Sequence, residues 1–345
     1  MSTDRLPRSA ECRFRAMGSE AHVIVVGDDA AALLDQARRM IDELEQRWSR
    51  FLPDSEVSLL NAAAGEKVVV TAETVLLVQR AIAAWRLTGG AYDPTLLDAL
   101  RAAGYDRTFE AIGDAVRPEP AASLHMLRPG PTDIVIDADS VQLPAGCGFD
   151  AGGIGKGLAA DLVAQRLIDD GAAGVCINLG GDLRVRGESP TGNGWTLAIE
   201  HPSCAEPIAL VGLTDGAIAT SSVLRRVWQV GGERRHHLID PATGQPTDSD
   251  LAFASVITGE AWLAEVMAKA VLLRGAANAF DLLDMGTAAI AVGHDGGVHA
   301  TPNFTAYTGG NPVHPTIAQP GSHVPFTSAR HDDQSGLPTP VRTRT

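Results

Sequence analysis

The chain has 345 residues, 45 % of them hydrophobic, and a formal net charge of 28 − 42 = −14. A surplus of acidic residues argues against a nucleic-acid partner and against electrostatic binding to anionic membranes. The first twenty residues lack the apolar core of a signal peptide, and no run reaches the roughly 18 apolar residues of a membrane span. The four cysteines are widely spaced and form no C-x-x-C pattern, which favours free thiols. We therefore expect a cytoplasmic protein without a membrane anchor.

Helices are predicted first from the spacing of apolar residues. Such residues recur every three to four positions over residues 30–48, which indicates an amphipathic helix. Thr71 is a typical cap for a second helix that ends at Gly89 and Gly90, and a short third helix is predicted over residues 96–103. Two longer helices are predicted further along, from Gly157 to Gly171 and over residues 260–274.

Strand-like segments cluster between these helices instead of alternating strictly with them. Two flank Met17 and Gly18, two form a predicted hairpin at residues 134–137 and 141–143, and a series follows the fourth helix. That series covers residues 174–178, 182–186, 195–200, 209–213 and 227–230, with a last strand at 288–292. This order favours an α+β fold with much antiparallel sheet over a doubly wound parallel fold.

Three regions are predicted from composition. Residues 1–11 are expected to be a flexible leader, and residues 12–307 a compact domain without a clear linker or repeat. The segment 308–345 is rich in Pro, Gly, Ser and Thr, which cannot supply a core, so we expect it to be disordered.

A glycine-rich loop, D-A-G-G-I-G-K-G-L-A-A-D at residues 150–161, opens the fourth predicted helix. Glycines at a helix N-terminus let the backbone approach a phosphate closely. A Walker loop is a poor fit because Gly157 follows Lys156, and Gly155, Gly157 and Ala160 match a dinucleotide fingerprint only loosely. Turn geometry alone remains an alternative explanation.

Several other short stretches are polar or glycine-rich where structure alone does not require it. They are residues 16–19, 91–95, 177–183, 217–222 and 237–244. Each can be a turn or a helix cap. Together with the loop and with S-R-F-L-P-D-S-E-V-S-L-L-N at 49–61, their order along residues 14–292 resembles the ApbE family of FAD:protein FMN transferases.

This resemblance implies a T-fold-like α+β architecture with a largely antiparallel sheet and packed helices. It also implies that FAD is the substrate and is split at its pyrophosphate. FMN is then joined to a Ser or Thr hydroxyl of a target flavoprotein, AMP leaves, and Mg²⁺ normally assists.

The resemblance also assigns roles to residues. The implied FAD contacts are Met17 at the flavin end, Phe51 as a stacking ring, Ala91, Tyr92, Asp93, Asp150, Lys156, Thr220 and Ser221. Gly153 matches a position whose carbonyl meets the metal, and His237 is the candidate acceptor of the target hydroxyl's proton. Met17 and Phe51 could instead be core residues, Asp150 a helix cap and Lys156 a surface lysine.

The chain departs from the family pattern in its last predicted helix. There the family has an Asp and a Thr one turn apart that bind Mg²⁺, and this chain has Glu265 and Lys269. One interpretation is an ordinary i,i+4 surface pair, worth roughly 0.2–0.5 kcal/mol. Alternatively both lie in the site, with Glu265 as a catalytic residue or metal ligand and the Lys269 ammonium in place of part of the metal's charge, which would weaken Mg²⁺ dependence. An altered site leaves two further functions open, a non-catalytic FAD carrier and an FAD pyrophosphatase.

Overall fold

The structure is a computed structural model that describes residues 8–63, 65–112, 129–202, 204, 206–309 and 341–343. The strands are β1 (Ser9–Ala16), β2 (Ser19–Val26), β3 (Lys67–Val69), β4 (Val135–Ile136), β5 (Ser140–Gln142), β6 (Gly174–Leu179), β7 (Asp182–Gly187), β8 (Trp195–Ile199), β9 (Ala209–Leu213), β10 (Gly216–Ser222), β11 (Val227–Val230), β12 (Glu233–His236), β13 (Leu251–Thr258), β14 (Ala288–Gly293), β15 (Val298–Ala300) and β16 (Val341–Thr343). The helices are α1 (Ala30–Trp48), α2 (Glu56–Ala62), α3 (Ala72–Leu87), α4 (Leu97–Ala102), α5 (Phe109–Ile112), α6 (Gly155–Asp169) and α7 (Ala261–Arg274). Among these residues, no helix combines the length and the apolar character needed to cross a membrane.

An eight-stranded sheet in the order β1-β2-β6-β7-β10-β13-β14-β15 forms the centre of the molecule. Every neighbouring pair in it is antiparallel. Helices α1, α6 and α7 pack on one face, and the small sheet β16-β8-β9 covers part of the other. The predicted α+β class with antiparallel sheet is confirmed.

The two covered faces explain why the central strands are continuously apolar. In β2, Val23 and Val25 point to the helix layer, whereas Ile24 and Val26 pack in the cluster that includes the small sheet. Because neighbouring side chains of a strand point to opposite faces, a strand buried on both faces needs apolar residues at every position.

Two helices of the helix layer, α6 and α7, pack closely against each other. On α7, burial extends almost all round the helix, so it lies within the core instead of presenting a polar face. Helix α6 packs against α7, and Gly157 makes this close approach possible: an added Cβ would lie 2.4 Å from the Ala261 carbonyl oxygen.

The structure corrects several predicted boundaries. Helix α6 begins at Gly155, before the predicted start at Gly157. Strand β1 begins at Ser9, so residues 9–11 belong to the sheet and not to the leader predicted over 1–11. Strand β16, inside the tail predicted to be disordered, pairs in parallel with β8 and buries Val341. Residues 1–7 and most of the tail lie outside the described residues.

Candidate functional site

A cavity of about 310 Å³ lies where the β1–β2 turn, the segment after α1, the glycine-rich loop and α7 meet. Ten residues singled out from the sequence line it: Met17, Phe51, Ala91, Tyr92, Asp93, Asp150, Gly153, Lys156, His237 and Lys269. Residues that are far apart in sequence therefore share one cavity.

Three of the residues predicted to act at the site do not line this cavity. Glu265 is not part of the cavity lining, but its carboxylate accepts hydrogen bonds from Lys156 and Lys269, which are. Thr220 places its hydroxyl oxygen 2.6 Å from that of Ser255 on the neighbouring strand, and both Thr220 and Ser221 are buried in β10. The structure thus gives Thr220 a role in strand packing, and it does not bring Thr220 or Ser221 into the wall.

Four buried charged side chains, two lysines and two carboxylates, form a cluster beside the cavity. The Lys156 ammonium donates to the Asp182 carboxylate and to Glu265 Oε1, the latter at 2.7 Å. The Lys269 ammonium lies 3.3 Å from the same Glu265 oxygen, and the Gly157 N–H donates to Oε2 at 2.8 Å. Glu265 is therefore held by two lysines and one backbone amide.

The pKa values of this buried cluster follow from its pairing. Burial alone would raise the pKa of Glu265, but the two lysines outweigh it and lower that pKa to about 2. For Asp182, burial and the nearby Glu265 raise the pKa to about 6. Burial opposes the charge on both lysines: it lowers the pKa of Lys269, whereas the two carboxylates raise the pKa of Lys156 above its usual value. With all four groups ionised the cluster is neutral, as burial of charge requires.

The cluster settles two interpretations of the sequence. The Glu265 side chain is 1 % exposed and that of Lys269 14 %, so the surface-pair interpretation is wrong. Lys156 is not a solvated surface lysine either, because its ammonium lies between two buried carboxylates. Asp182 was missed as a site residue, since its position after a glycine pair is typical of a hairpin turn.

The aromatic rings of Phe51 and Tyr105 line the same cavity, and Trp228 packs against Tyr105 outside the lining. The ring centroids of Phe51 and Tyr105 are 5.8 Å apart, and those of Tyr105 and Trp228 are 5.4 Å apart. The Arg50 guanidinium lies 4.2 Å from the Phe51 ring centroid and 4.7 Å from that of Tyr105, and its Nε is 2.9 Å from Asp150 Oδ1. Arg50 thereby fixes both the rings and the start of the glycine-rich loop.

Asp150 does not cap helix α6. The N-cap position of α6 is Ile154, and the Asp150 carboxylate is paired with Arg50. The backbone just before it is fixed as well, because the Asn61 side chain bonds both the carbonyl and the amide of Phe149, at 2.9 and 2.7 Å. The backbone that leads into the glycine-rich loop is therefore held in place by the side chains of Asn61 and Arg50.

Two buried polar atoms at the cavity have no hydrogen-bond partner within the part of the chain that the structure describes. They are Nδ1 of His237 and the hydroxyl oxygen of Tyr92. Burial, followed by the charge of Arg226, lowers the pKa of His237 well below its usual value, so the ring is neutral at neutral pH. Buried polar atoms without a partner are costly, and a ligand in the cavity would supply one.

The β1–β2 turn presents Met17 to the cavity. The pairing of Ala16 with Ser19 leaves a two-residue turn, Met17–Gly18, with φ of 50° and 65°. Both values lie in the left-handed region, as a type I′ hairpin turn requires. A methionine there costs on the order of 1 kcal/mol, so this turn keeps Met17 at the cavity against a local preference.

The four glycines of the loop differ in their surroundings. A Cβ on Gly153 would lie 2.7 Å from the Tyr92 ring and 3.3 Å from Lys269 Cε, so this position needs glycine for the site. Gly157 needs glycine for the contact with α7. The glycine at position 157 is therefore explained by helix packing.

The side chains around Glu265 do not fit the Mg²⁺ that the resemblance implies. Across the described ranges, no group of three or more His, Cys, Asp or Glu residues is arranged to hold a metal ion. Both Glu265 oxygens already accept hydrogen bonds from cationic or amide donors, and the Thr of the family pattern is a lysine here. A divalent cation at Glu265 would face two ammonium groups.

The fold and this cavity define an α+β protein with a ligand cavity lined by lysines and aromatic rings, and comparison with known proteins names the family. The chain belongs to the ApbE family, whose sequence pattern matches residues 17–291. Similar curated proteins include the FAD:protein FMN transferase of Vibrio cholerae, 28 % identical over 252 residues, which cover 72 % of this chain and 75 % of the relative. That of Treponema pallidum is 29 % identical over 262 residues, 71 % of this chain and 72 % of the relative.

Solved structures of the same fold are also similar. The ApbE protein of Thermotoga maritima gives a TM-score of 0.77 at 24 % identity and covers 87 % of this chain and 99 % of its own. The flavinyl transferase ApbE of Pseudomonas stutzeri gives 0.73 at 25 % identity, over 89 % and 98 % of the two chains. These likenesses support the architecture described above.

Proposed function

We propose that this chain is an FAD:protein FMN transferase acting on a target flavoprotein. The observation that carries the proposal is one cavity lined by the aromatic rings of Phe51 and Tyr105 and by the two lysines of the buried cluster, in a member of the ApbE family. The names of the curated relatives support the same activity. FAD has matching parts, since its two ring systems are flat and apolar and its pyrophosphate is anionic.

In this proposal FAD lies along the cavity with its pyrophosphate towards Lys156 and Lys269. Phe51 and Tyr105 offer ring faces for stacking, and Met17 contacts the flavin end. Ala91 and Asp93 line the same cavity, and the amides around Gly153, ahead of α6, add donors near the phosphates.

The reaction is a displacement at the phosphorus of the FMN half. The oxygen of a Ser or Thr hydroxyl on the target forms a bond to this phosphorus, the bond to the bridging oxygen breaks, and AMP leaves with that oxygen. The hydroxyl proton passes to His237, whose lowered pKa keeps the imidazole neutral and able to accept it. Lysine charge near the equatorial oxygens offsets the negative charge of the transition state.

Analysis of the products distinguishes transfer from the two alternatives. The purified chain is incubated with FAD and a soluble protein extract of the cells that make it, and nucleotides and proteins are analysed by mass spectrometry. Transfer predicts AMP together with a protein whose Ser or Thr carries FMN. Free FMN and AMP without an ester would mean a pyrophosphatase, and intact FAD bound to the chain would mean a carrier; either result contradicts the proposal.

The neighbouring histidines supply a matched pair of variants for the same assay. His237 lines the cavity, whereas His236 Nε2 lies 3.1 Å from the Thr247 carbonyl oxygen and is no part of the wall. We expect His237→Asn to lower the transfer rate about 100-fold or more, the usual contribution of a general base. His236→Asn should keep most of the rate; equal losses would remove His237 from the mechanism.

A further inference from the structure

Lysine is rare in this chain and concentrated at the site. The sequence contains 25 arginines and three lysines, Lys67, Lys156 and Lys269. Lys67 is exposed and pairs with Asp137, whereas the other two belong to the buried cluster. Arginine therefore supplies nearly all of the positive charge elsewhere, whereas the compact ammonium groups of Lys156 and Lys269 both lie at this site.

The two lysines of the cluster differ in their pairing. Lys156 is held between Asp182 and Glu265 by close contacts. Lys269 makes only longer contacts with Glu265, 3.3 Å to Oε1 and 3.5 Å to the backbone oxygen, and its side chain lines the cavity beside Gly153. An ammonium has three donors, so Lys269 is the cation of the cluster best placed to bind an anion in the cavity.

We infer that Lys269 supplies the positive charge that a divalent cation would otherwise bring to the FAD pyrophosphate, so that FAD binds without a metal. The cluster is neutral before the ligand enters, and a pyrophosphate adds negative charge next to an ammonium fixed on a buried helix. A divalent cation would have to displace an ammonium from Glu265 against the repulsion of both lysines. This inference rests on the proposed function, because it takes FAD as the ligand.

The test is calorimetric titration of FAD into the metal-stripped full-length chain, once in EDTA and once in Mg²⁺. We expect the same dissociation constant in both buffers. Lys269→Met, close in shape but neutral, should weaken binding about 10- to 100-fold in both, the loss typical of a hydrogen bond to a charged group. Lys67→Met, which removes the exposed lysine, should bind FAD like the unaltered chain.

The possible failures are distinguishable. Binding that appears only with Mg²⁺ would overturn the inference and leave the transferase proposal intact. Binding in neither buffer would overturn both. Unaltered affinity in Lys269→Met, with the unfolding temperature unchanged, would show that Lys269 does not contact the ligand and would also overturn the inference.

A second variant tests the exclusion of metal with a readout that does not involve FAD. The double change Glu265→Asp with Lys269→Thr restores the Asp and Thr of the family pattern, one helical turn apart. We expect it to bind Mn²⁺, followed by electron paramagnetic resonance, at least tenfold more tightly than the unaltered chain. Equal Mn²⁺ affinity of the two proteins would contradict the idea that Lys269 keeps the metal out.

Discussion

His237 and His236 are adjacent in sequence but differ in surroundings. His236 bonds a backbone carbonyl, while His237 turns Nδ1 towards buried space at the cavity without a partner among the described residues. The difference is what an extended segment produces, because neighbouring side chains there point to opposite sides. The pKa of His237, lowered by burial and then by Arg226, follows from the folded arrangement and could not be deduced from the sequence.

The lowered pKa of His237 predicts the acid side of the pH profile. A general base acts in its neutral form, so the transfer rate falls only when the pH drops below the pKa of the base. The ratio kcat/KM for FAD reports the free protein, so we expect it to stay constant as the pH is lowered through about 6.5, the ordinary histidine value, and to fall at a lower pH. A ratio already halved at or above that value would contradict His237 as the base.

The roles of several other residues depend on partners that are distant in the sequence. The stretches 177–183 and 237–244, which contain Asp182 and Asp240, can each be a turn, and this interpretation holds for Asp240, whose carboxylate accepts a hydrogen bond from the Ala242 amide. For Asp182 it is incomplete, because its partner Lys156 is 26 positions away and the contact exists only after α6 packs beside the sheet. Arg50 was missed for the same reason, since Asp150 lies a hundred residues further on.

At the scale of elements, helix α7 obtains its N-terminal cap from another helix. The Asp161 carboxylate of α6 accepts from the amides of Ala261 and Trp262, at 2.8 and 2.9 Å, and its Oδ1 lies 3.2 Å from Arg184 Nε. These bonds satisfy amides that a helix start leaves without intrahelical partners. The same contact fixes the position of α7, which carries Glu265 and Lys269.

Removing this cap should destabilise the protein. We expect Asp161→Ala to lower the free energy of unfolding by about 1–3 kcal/mol, because two helix amides lose their acceptor and Arg184 loses one of its two carboxylate partners. Urea unfolding measures the change. Asp169→Ala, an exposed change on the same helix, is the control and should leave the unfolding midpoint in place. Equal midpoints for both variants would show that Asp161 is not the cap of α7.

At Gly157, inside helix α6, replacement by alanine should lower the free energy of unfolding instead of raising it. Alanine normally favours a helix over glycine by about 1 kcal/mol. Here the added Cβ would meet the Ala261 carbonyl at 2.4 Å, so we expect Gly157→Ala to destabilise the protein by about 1–3 kcal/mol in thermal or urea unfolding. At Gly259 an added Cβ meets nothing within 4 Å, so Gly259→Ala should be tolerated. A stabilised Gly157→Ala variant would contradict the close packing of α6 on α7.

Element types were more predictable than their ends. The periodic helix α1 and the hairpin β4–β5 match the expected segments closely, because both patterns are local. Strand β16 was missed because its partner β8 lies more than 140 residues earlier and its own composition is that of a tail. The start of α6 was misplaced by two residues, since glycines there do not show where helical bonding begins.

The fold of the whole chain brings the glycine-rich loop and helix α7, which are distant in sequence, to one ligand site. The sheet and its helix layer place the glycine-rich loop and α7 side by side, which creates the cluster of Lys156, Glu265 and Lys269. The order of motifs predicted the family, and the residue types Glu265 and Lys269, in place of the family's Asp and Thr, predicted that the metal site differs. The sequence did not show that Lys156 also bonds Glu265, because that contact spans 109 positions.

In the proposed reaction, this cavity transfers FMN to a protein hydroxyl with lysine charge in place of a divalent cation. To test it, the metal-stripped chain is incubated with FAD and the protein extract in EDTA, and AMP and protein-bound FMN are quantified in the same sample. We expect equal amounts of AMP and protein-bound FMN, with no increase when Mg²⁺ is added. Unchanged FAD in EDTA, or AMP accompanied by free FMN and no protein-bound FMN, would contradict it.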